Sequence, residues 1–185
     1  MVSPLLVVGL GNLPYPLTRH SVGHLVLDAL ALRLGIRLSP DRHGYSGQGL
    51  VNIGETTVSL TLFKSIESLM NISGPSIAAT YRKNVTNPKS LVVITDSLMH
   101  QSEKLSAKIG GSANGHNGMK SVIAALGGET EFYRFRIGIG RNDGDAAAYV
   151  LSKLSSHERR FWADEGLDLI LAELENVVRR NDLHQ

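Results

Sequence analysis

The chain has 185 residues, of which 42% are apolar, 19% charged and 5% aromatic. That length fits one domain spanning 1–185 and is short for two, and the ordinary apolar and charged fractions exclude a disordered chain. With no cysteine there is no disulfide scaffold, thiolate nucleophile or cysteine-ligated metal. No apolar run reaches the ~18 residues of a membrane span, so no membrane association is expected. The amino terminus enters an apolar run without the basic segment and cleavage site of a signal peptide. The expected location is the cytoplasm, or the mitochondrion if a presequence has been trimmed.

In chain order, residues 5–10 (Leu-Leu-Val-Val-Gly-Leu) read as a strand covered on both faces. Val22, Val26, Leu30 and Leu34 recur at helical spacing, which predicts a helix over 19–34 with Thr18 available as its cap and Gly35 as its stop. Two β-rich runs, 48–53 and 57–63, flank Gly54-Glu55-Thr56 and predict a hairpin. A helix is expected over 71–82 and a buried strand over 90–95, ending at Asp96. Nine of the 19 glycines fall between Gly110 and Gly144. Within that stretch 117–126 has helical character and 134–139 alternates like a strand. Residues 156–180 predict the longest helix, with Leu167, Ile170, Leu174, Val177 and Val178 on one face. Strands interleaved with helices, plus one hairpin, give an α/β fold: a twisted mixed sheet, mostly parallel, wrapped by helices and closed by a long C-terminal helix.

Charge is unevenly spread. Between Lys104 and Arg141 there are six basic and two acidic residues, while 151–185 carries five basic and seven acidic ones. A positive field beside an acidic tail suits a nucleic-acid or phosphate binder; the plainer alternative is a solvated basic face.

The chemistry-bearing residues sit at the edges of elements. Gly9-Leu10-Gly11-Asn12 follows a strand, as in a dinucleotide fold, but the third glycine is replaced by Pro14 and no acidic residue ends a second strand further on. What remains is a tight turn holding Asn12 at the rim of the sheet, where open α/β sheets bind ligands. His20 opens a helix, whose dipole lowers an imidazole's pKa and suits a neutral general base; otherwise it is a surface or capping histidine. Asp96, at a strand's carboxyl end, either orients an imidazole or closes an Asx turn. Asn71 reads as a helix N-cap. Gly110–Gly118 exposes backbone N–H groups ahead of a helix beginning near Asn117, an anion-binding pattern, and Lys108, Lys120, Arg134 and Arg136 bracket it. His20 and His24 are spaced like two zinc ligands, but Ser21 stands where the glutamate of a zincin would be, and no third ligand is near. There is no serine nucleophile elbow.

Seven pieces in order resemble the bacterial-type peptidyl-tRNA hydrolase family: the first strand with Gly9-Leu10-Gly11-Asn12, Thr18-Arg19-His20-Ser21-Val22-Gly23, Met70-Asn71-Ile72-Ser73-Gly74, the strand ending at Asp96, Gly115-His116-Asn117-Gly118-Met119-Lys120, Arg134-Phe135-Arg136-Ile137-Gly138-Ile139-Gly140 and Tyr149-Val150-Leu151. The resemblance implies a monomeric α/β enzyme, without metal or cofactor, that cleaves the ester between a peptide and the 3′ end of tRNA. It implies His20 as the catalytic base and Asp96 as its partner. It implies Asn12, Asn71 and Asn117 as substrate-holding asparagines, Tyr15 in the site wall, and Lys108 and Arg136 on the tRNA acceptor stem. The Asn12–His20 stretch is shorter than the family's, and Asp96-Ser97-Leu98-Met99 has lost two acids. Two other functions fit the same residues: a catalytically weak RNA-binding protein on this fold, and a small-molecule esterase.

Overall fold

The computed structural model describes residues 2–65 and 72–184. In order come β1 (Ser3–Gly9), a 3-10 turn (Arg19–Ser21) leading into α1 (Val22–Leu34), β2 (Ser39–Pro40), β3 (Gly44–Ile53), β4 (Thr56–Ser65), α2 (Gly74–Asn84), a second 3-10 turn (Pro88–Ser90), β5 (Leu91–Ser97), β6 (Leu105–Ile109), α3 (Asn117–Ala125), β7 (Tyr133–Gly138), α4 (Ala146–Val150), α5 (Ser156–Ala163) and α6 (Glu165–Asp182). The strands form one sheet in the order β2-β3-β4-β1-β5-β7-β6. β1 pairs in parallel with β4 and β5, and β5 with β7; β3 and β6 run against these. This is the mixed, mostly parallel sheet that the sequence predicts.

Alternation along β1 builds the two cores. Leu5 and Val7 pack with α1, α5 and α6, whereas Leu6 and Val8 pack with α2 and α3 on the other face. α1 ends where expected, on Gly35 with φ +69°, because a left-handed residue closes the last turn without a Cβ clash. The hairpin turns at Gly54 with φ +61°. Among the described residues no helix is long and apolar enough to cross a membrane.

Three expectations are corrected. Thr18 does not cap the helix; its hydroxyl donates to Tyr15 O at 2.8 Å. The predicted helix over 156–180 is two helices broken at Asp164 (φ −134°, ψ −88°). Gly166 there lies so close that a Cβ would stand 2.5 Å from the buried Trp162 ring. Finally, β6 and α4 occupy segments where no element is expected from the sequence pattern.

The glycines around β1 fit α1 onto the sheet. A Cβ on Gly9 would lie 2.4 Å from Gly23 O, and one on Gly23 would lie 2.4 Å from Leu10 O and 2.6 Å from Ile94 O. The start of α1 therefore rests directly on the backbone of β1 and β5. Gly23→Ala is expected to cost about 3 kcal/mol, the upper end of overpacking penalties, because backbone cannot swing aside as a side chain can. Urea unfolding measures it; a loss under about 1 kcal/mol would show that the helix relaxes away from the sheet.

Candidate active site

The close seating of α1 brings its leading turn to the carboxyl end of β5. His20 Nδ1 lies 2.8 Å from Asp96 Oδ2. His116, just before α3, places Nε2 2.8 Å from Asp96 Oδ1 and 3.0 Å from Thr95 Oγ1. Asp96 is 4% exposed. Burial pushes its carboxyl up, but hydrogen bonds from His116 and His20, with the charge of both rings, override this and hold it well below the usual carboxylate range. It is therefore an anion that can only accept, and its two oxygens face two imidazoles.

That acceptor decides the tautomers. His20 carries its proton on Nδ1, toward Asp96, which leaves the Nε2 lone pair for chemistry. His116 is also held from its far side: it caps α3, and its Nδ1 accepts the Met119 N–H at 3.1 Å. Nδ1 being an acceptor, Nε2 bears the hydrogen and donates to Asp96. For His20, burial lowers the pKa, but the hydrogen bond and charge of Asp96 prevail and raise it above the ordinary 6.5. The lowering expected from the helix dipole is thus overturned: a full anion at 2.8 Å outweighs a terminal partial charge.

The turn carrying His20 is tied on both sides. Arg19 N–H donates to Ser152 O at 2.9 Å, and the Arg19 guanidinium reaches Ser152 Oγ, Lys153 O and Glu158 Oε1 at 2.8, 2.6 and 3.1 Å. It also lies over the Tyr149 ring, 4.8 Å from its centroid. On the other side Ser21 Oγ accepts the Asn12 N–H at 2.9 Å and lies 3.1 Å from Asn12 O and 3.0 Å from Tyr15 O. The 12–18 loop closes around this buried hydroxyl.

His20, Asp96 and His116 are also the one group of possible metal ligands among the described residues, with ligand atoms within 4.8 Å of one another. The donor set does not fit an ion. A metal on His116 Nε2 would move the ring proton to Nδ1, directly against the Met119 N–H. The zinc-like pairing of His20 with His24 does not form either. Burial, helped by the charge of Lys64, lowers His24 to about 3, and its ring packs where a Gly11 Cβ would be, 2.5 Å away.

His20 and Asp96 open onto a cleft of about 370 Å³ that extends past Asn117 to Lys108, Arg134 and Arg136. The basic side follows from register. Lys108 pairs across from Arg134, and Ser106 from Arg136, so these side chains share the face of β6 and β7 opposite the α6 core. Among the described residues no carboxylate forms an ion pair with Lys108 or Arg136. Burial, then Arg136 and Arg134, lower the Lys108 pKa. An anion placed here would relieve that repulsion.

The peptidyl-tRNA hydrolase family model matches residues 6–185. The chain belongs to the peptidyl-tRNA hydrolase family. It is 42% identical over 163 residues to the peptidyl-tRNA hydrolase of Mycobacterium tuberculosis (strain H37Rv), covering 86% of this chain and 83% of that protein. The Mycobacterium marinum enzyme is 43% identical over the same length and shares of both chains. The peptidyl-tRNA hydrolase of Acinetobacter baumannii superposes with TM-score 0.83 at 29% identity, covering 100% of this chain and 93% of that one. A peptidyl-tRNA hydrolase crystallised with N-propanol gives 0.80 at 32% identity, covering 96% and 89%. The chain is thus a hydrolase, with the fold that the sequence motifs imply.

Of the site residues expected of a peptidyl-tRNA hydrolase, the structure gathers His20, Asp96, Asn117, Lys108, Arg134 and Arg136 around the cleft. Asn12 is buried in the turn beside His20, and Tyr15 is exposed on the same loop; neither lines the cleft. Lys120 is exposed on α3, away from the cleft lining. Asn71 lies outside the described residues. Arg134 has a different task from the anion contact expected of it. It is 2% exposed, and its guanidinium donates to Gly111 O and Ser112 O, pinning the glycine-rich loop from below.

The residue missed by the sequence reading is His116. His116→Ala removes both the α3 cap, worth about 1 kcal/mol, and a donor to a buried carboxylate, worth about 1.5–3 kcal/mol. The expected loss of stability is therefore about 2–4 kcal/mol, measurable by thermal unfolding. No change in Tm would contradict the double anchoring.

Proposed function

We propose that this protein hydrolyses the ester between a peptide, or an N-blocked amino acid, and the 3′ end of tRNA, with His20 as general base. The observation that carries the reading is a single cleft lined both by the His20–Asp96 pair and by Lys108 and Arg136, which form no ion pair with a carboxylate among the described residues. A base suited to water and a wall suited to phosphates are set side by side.

In the proposed step, His20 Nε2 takes a proton from water as the water oxygen bonds to the ester carbonyl carbon. The carbonyl π electrons move to oxygen, and the Asn117 amide donates to the developing oxyanion. Asp96 holds Nδ1–H and offsets the imidazolium charge. The tetrahedral centre then expels the ribose oxygen, which takes the proton from His20 and leaves as a hydroxyl. A ribose hydroxyl is a better leaving group than an amine, so base and water suffice without a covalent nucleophile. Asn71 is assigned to the peptide backbone, Tyr15 to the outer wall and Lys120 to a peripheral tRNA contact. Lys108 and Arg136 hold acceptor-stem phosphates by charge, since A-form RNA is read mostly through its backbone and shape.

The test is release of N-acetyl-amino acid from N-acetyl-aminoacyl-tRNA at several salt concentrations. Turnover is expected, with KM rising steeply with salt at a log–log slope of about −0.7 to −0.9 in affinity per phosphate contact. Lys108→Ala with Arg136→Ala should flatten that slope by about two contacts and leave kcat within a few-fold. Binding without turnover would make this an RNA-binding protein on a hydrolase fold. Turnover with no salt dependence would point to a small-molecule esterase.

A further inference from the structure

The glycine-rich loop holds a reactive group that the mechanism above does not use. Three pairs in the chain join an asparagine or aspartate to a glycine: Asn114-Gly115, Asn117-Gly118 and Asp143-Gly144. In such a pair the glycine nitrogen can attack the preceding side-chain carbonyl, because no Cβ obstructs the approach. The surroundings of the three differ. Gly118 is buried in α3, where helical geometry turns its nitrogen away from the Asn117 side chain. Gly144 N–H is engaged by Asn142 Oδ1 at 3.1 Å. Asn114 and Gly115 have neither protection. Both are exposed, with φ +50° and +81°, at the tip of a turn closed by His116 N–H donating to Ala113 O at 3.0 Å. Nothing lies within 4 Å of where a Gly115 Cβ would stand, and among the described residues nothing accepts its N–H. Ser112 Oγ donates to Asn114 Oδ1 at 2.9 Å and so draws electrons from the carbonyl carbon.

We propose that Asn114 is a site of spontaneous modification, at which the cleft gains a carboxylate that weakens its hold on tRNA; the consequence for tRNA rests on the function proposed above. The Gly115 nitrogen gives its proton to solvent and bonds to the Asn114 side-chain carbonyl carbon. The Ser112 hydroxyl donates to the oxygen as charge develops on it. The bond to the side-chain nitrogen then breaks, that nitrogen takes a proton and leaves as ammonia, and a cyclic imide remains. Water opens the imide at either carbonyl, giving aspartate or isoaspartate. One water is consumed and one ammonia released, and nothing is oxidised or reduced. The position of the new charge gives it an effect. Asn114 lines the cleft together with Lys108, Arg134 and Arg136. Arg134 donates to Gly111 O and Ser112 O, and Lys108 Nζ lies 2.6 Å from where a Gly111 Cβ would stand. A carboxylate on this loop competes for cations suited to phosphate and repels the phosphate itself.

To test this, the full chain is aged in warm neutral buffer and its peptides are mapped by mass spectrometry at intervals, with isoaspartate scored separately. Conversion is expected at Asn114 at least about tenfold faster than at Asn117 or Asp143. Ser112→Ala should slow it by about two- to tenfold, the worth of one hydrogen bond; an unchanged rate there overturns the part given to Ser112. Binding of deacylated tRNA is then measured. Aged parent and fresh Asn114→Asp should each bind about three- to fivefold more weakly than fresh parent at low salt, and the difference should fade as salt rises. Asn114→Gly accepts the same backbone and cannot react, so it should bind like fresh parent and keep that affinity on ageing. Equal conversion at the three pairs overturns the proposal. So does full affinity in Asn114→Asp, or a loss on ageing that is the same in Asn114→Gly as in the parent. A fresh parent that binds no tRNA removes the function proposed above and the consequence for affinity with it, while the peptide map still decides whether Asn114 converts.

Discussion

His20→Ala is expected to lower kcat on N-acetyl-aminoacyl-tRNA by about 10²–10⁴-fold, the usual worth of a positioned general base, with tRNA affinity changed by less than about twofold. The lone pair on Nε2 is produced by the Nδ1 bond to Asp96 at 2.8 Å, and alanine supplies nothing in its place. The parent's pH profile carries the same information. Proton abstraction needs neutral His20. Asp96 raises the His20 pKa above 6.5 against the opposing effect of burial, so activity should climb as pH rises through a midpoint above 6.5. A parent profile flat between pH 6 and 8, or a variant within tenfold of the parent, would remove His20 from the mechanism.

Asp96→Asn is expected to be at least as damaging, about 10³–10⁴-fold in kcat, although it changes only one atom of a buried side chain. The reason is His116. Because its Nδ1 accepts the Met119 N–H, its Nε2–H can only donate, and it claims the single acceptor oxygen an asparagine provides. The amide NH₂ is then left facing His20. To accept from it, His20 must shift its own proton to Nε2, and the lone pair leaves the side where water would be activated. Whatever activity survives should show its pH midpoint moved down, since losing the anion leaves burial as the main influence on His20. The pH–rate profile of the variant measures both. An upward shift, or a loss below about tenfold, would mean that Asp96 does not set the tautomer. The double variant with His116→Ala should recover part of the loss, because the asparagine oxygen is freed to turn toward His20.

Much of this was legible in the sequence because it rests on local pattern. Leu5 to Val8 read as a two-faced strand because alternate residues feed two cores, and His20 and Asp96 stood at the element edges where open sheets place chemistry. What was illegible depends on register and contact. β6 is Leu-Ser-Ala-Lys-Ile, too short and too mixed to announce a strand, and it exists by pairing with β7 and resting Leu105 and Ala107 on the α6 core. The apolar stripe runs across Asp164 without a break, so only the Gly166–Trp162 contact reveals two helices. Arg134 and Arg136 look equivalent two residues apart, yet the glycine-rich loop lies over one and not the other. His116 was hidden inside a run of glycines. The usable signal was a polar residue just before a helix, the place for an N-cap, whose second nitrogen must go somewhere.

The glycine seat of α1 carries a consequence for how such an enzyme can diverge. His20 and Asp96 are mounted on two elements locked backbone to backbone at Gly9, Gly23 and Ile94, while residues 13–17 loop outside that lock and are gathered in by the hydroxyls of Thr18 and Ser21. Length can therefore be lost or gained in the loop without changing the distance between base and carboxylate. An insertion or deletion at that place reshapes the rim while the seat that fixes His20 against Asp96 stays as it is.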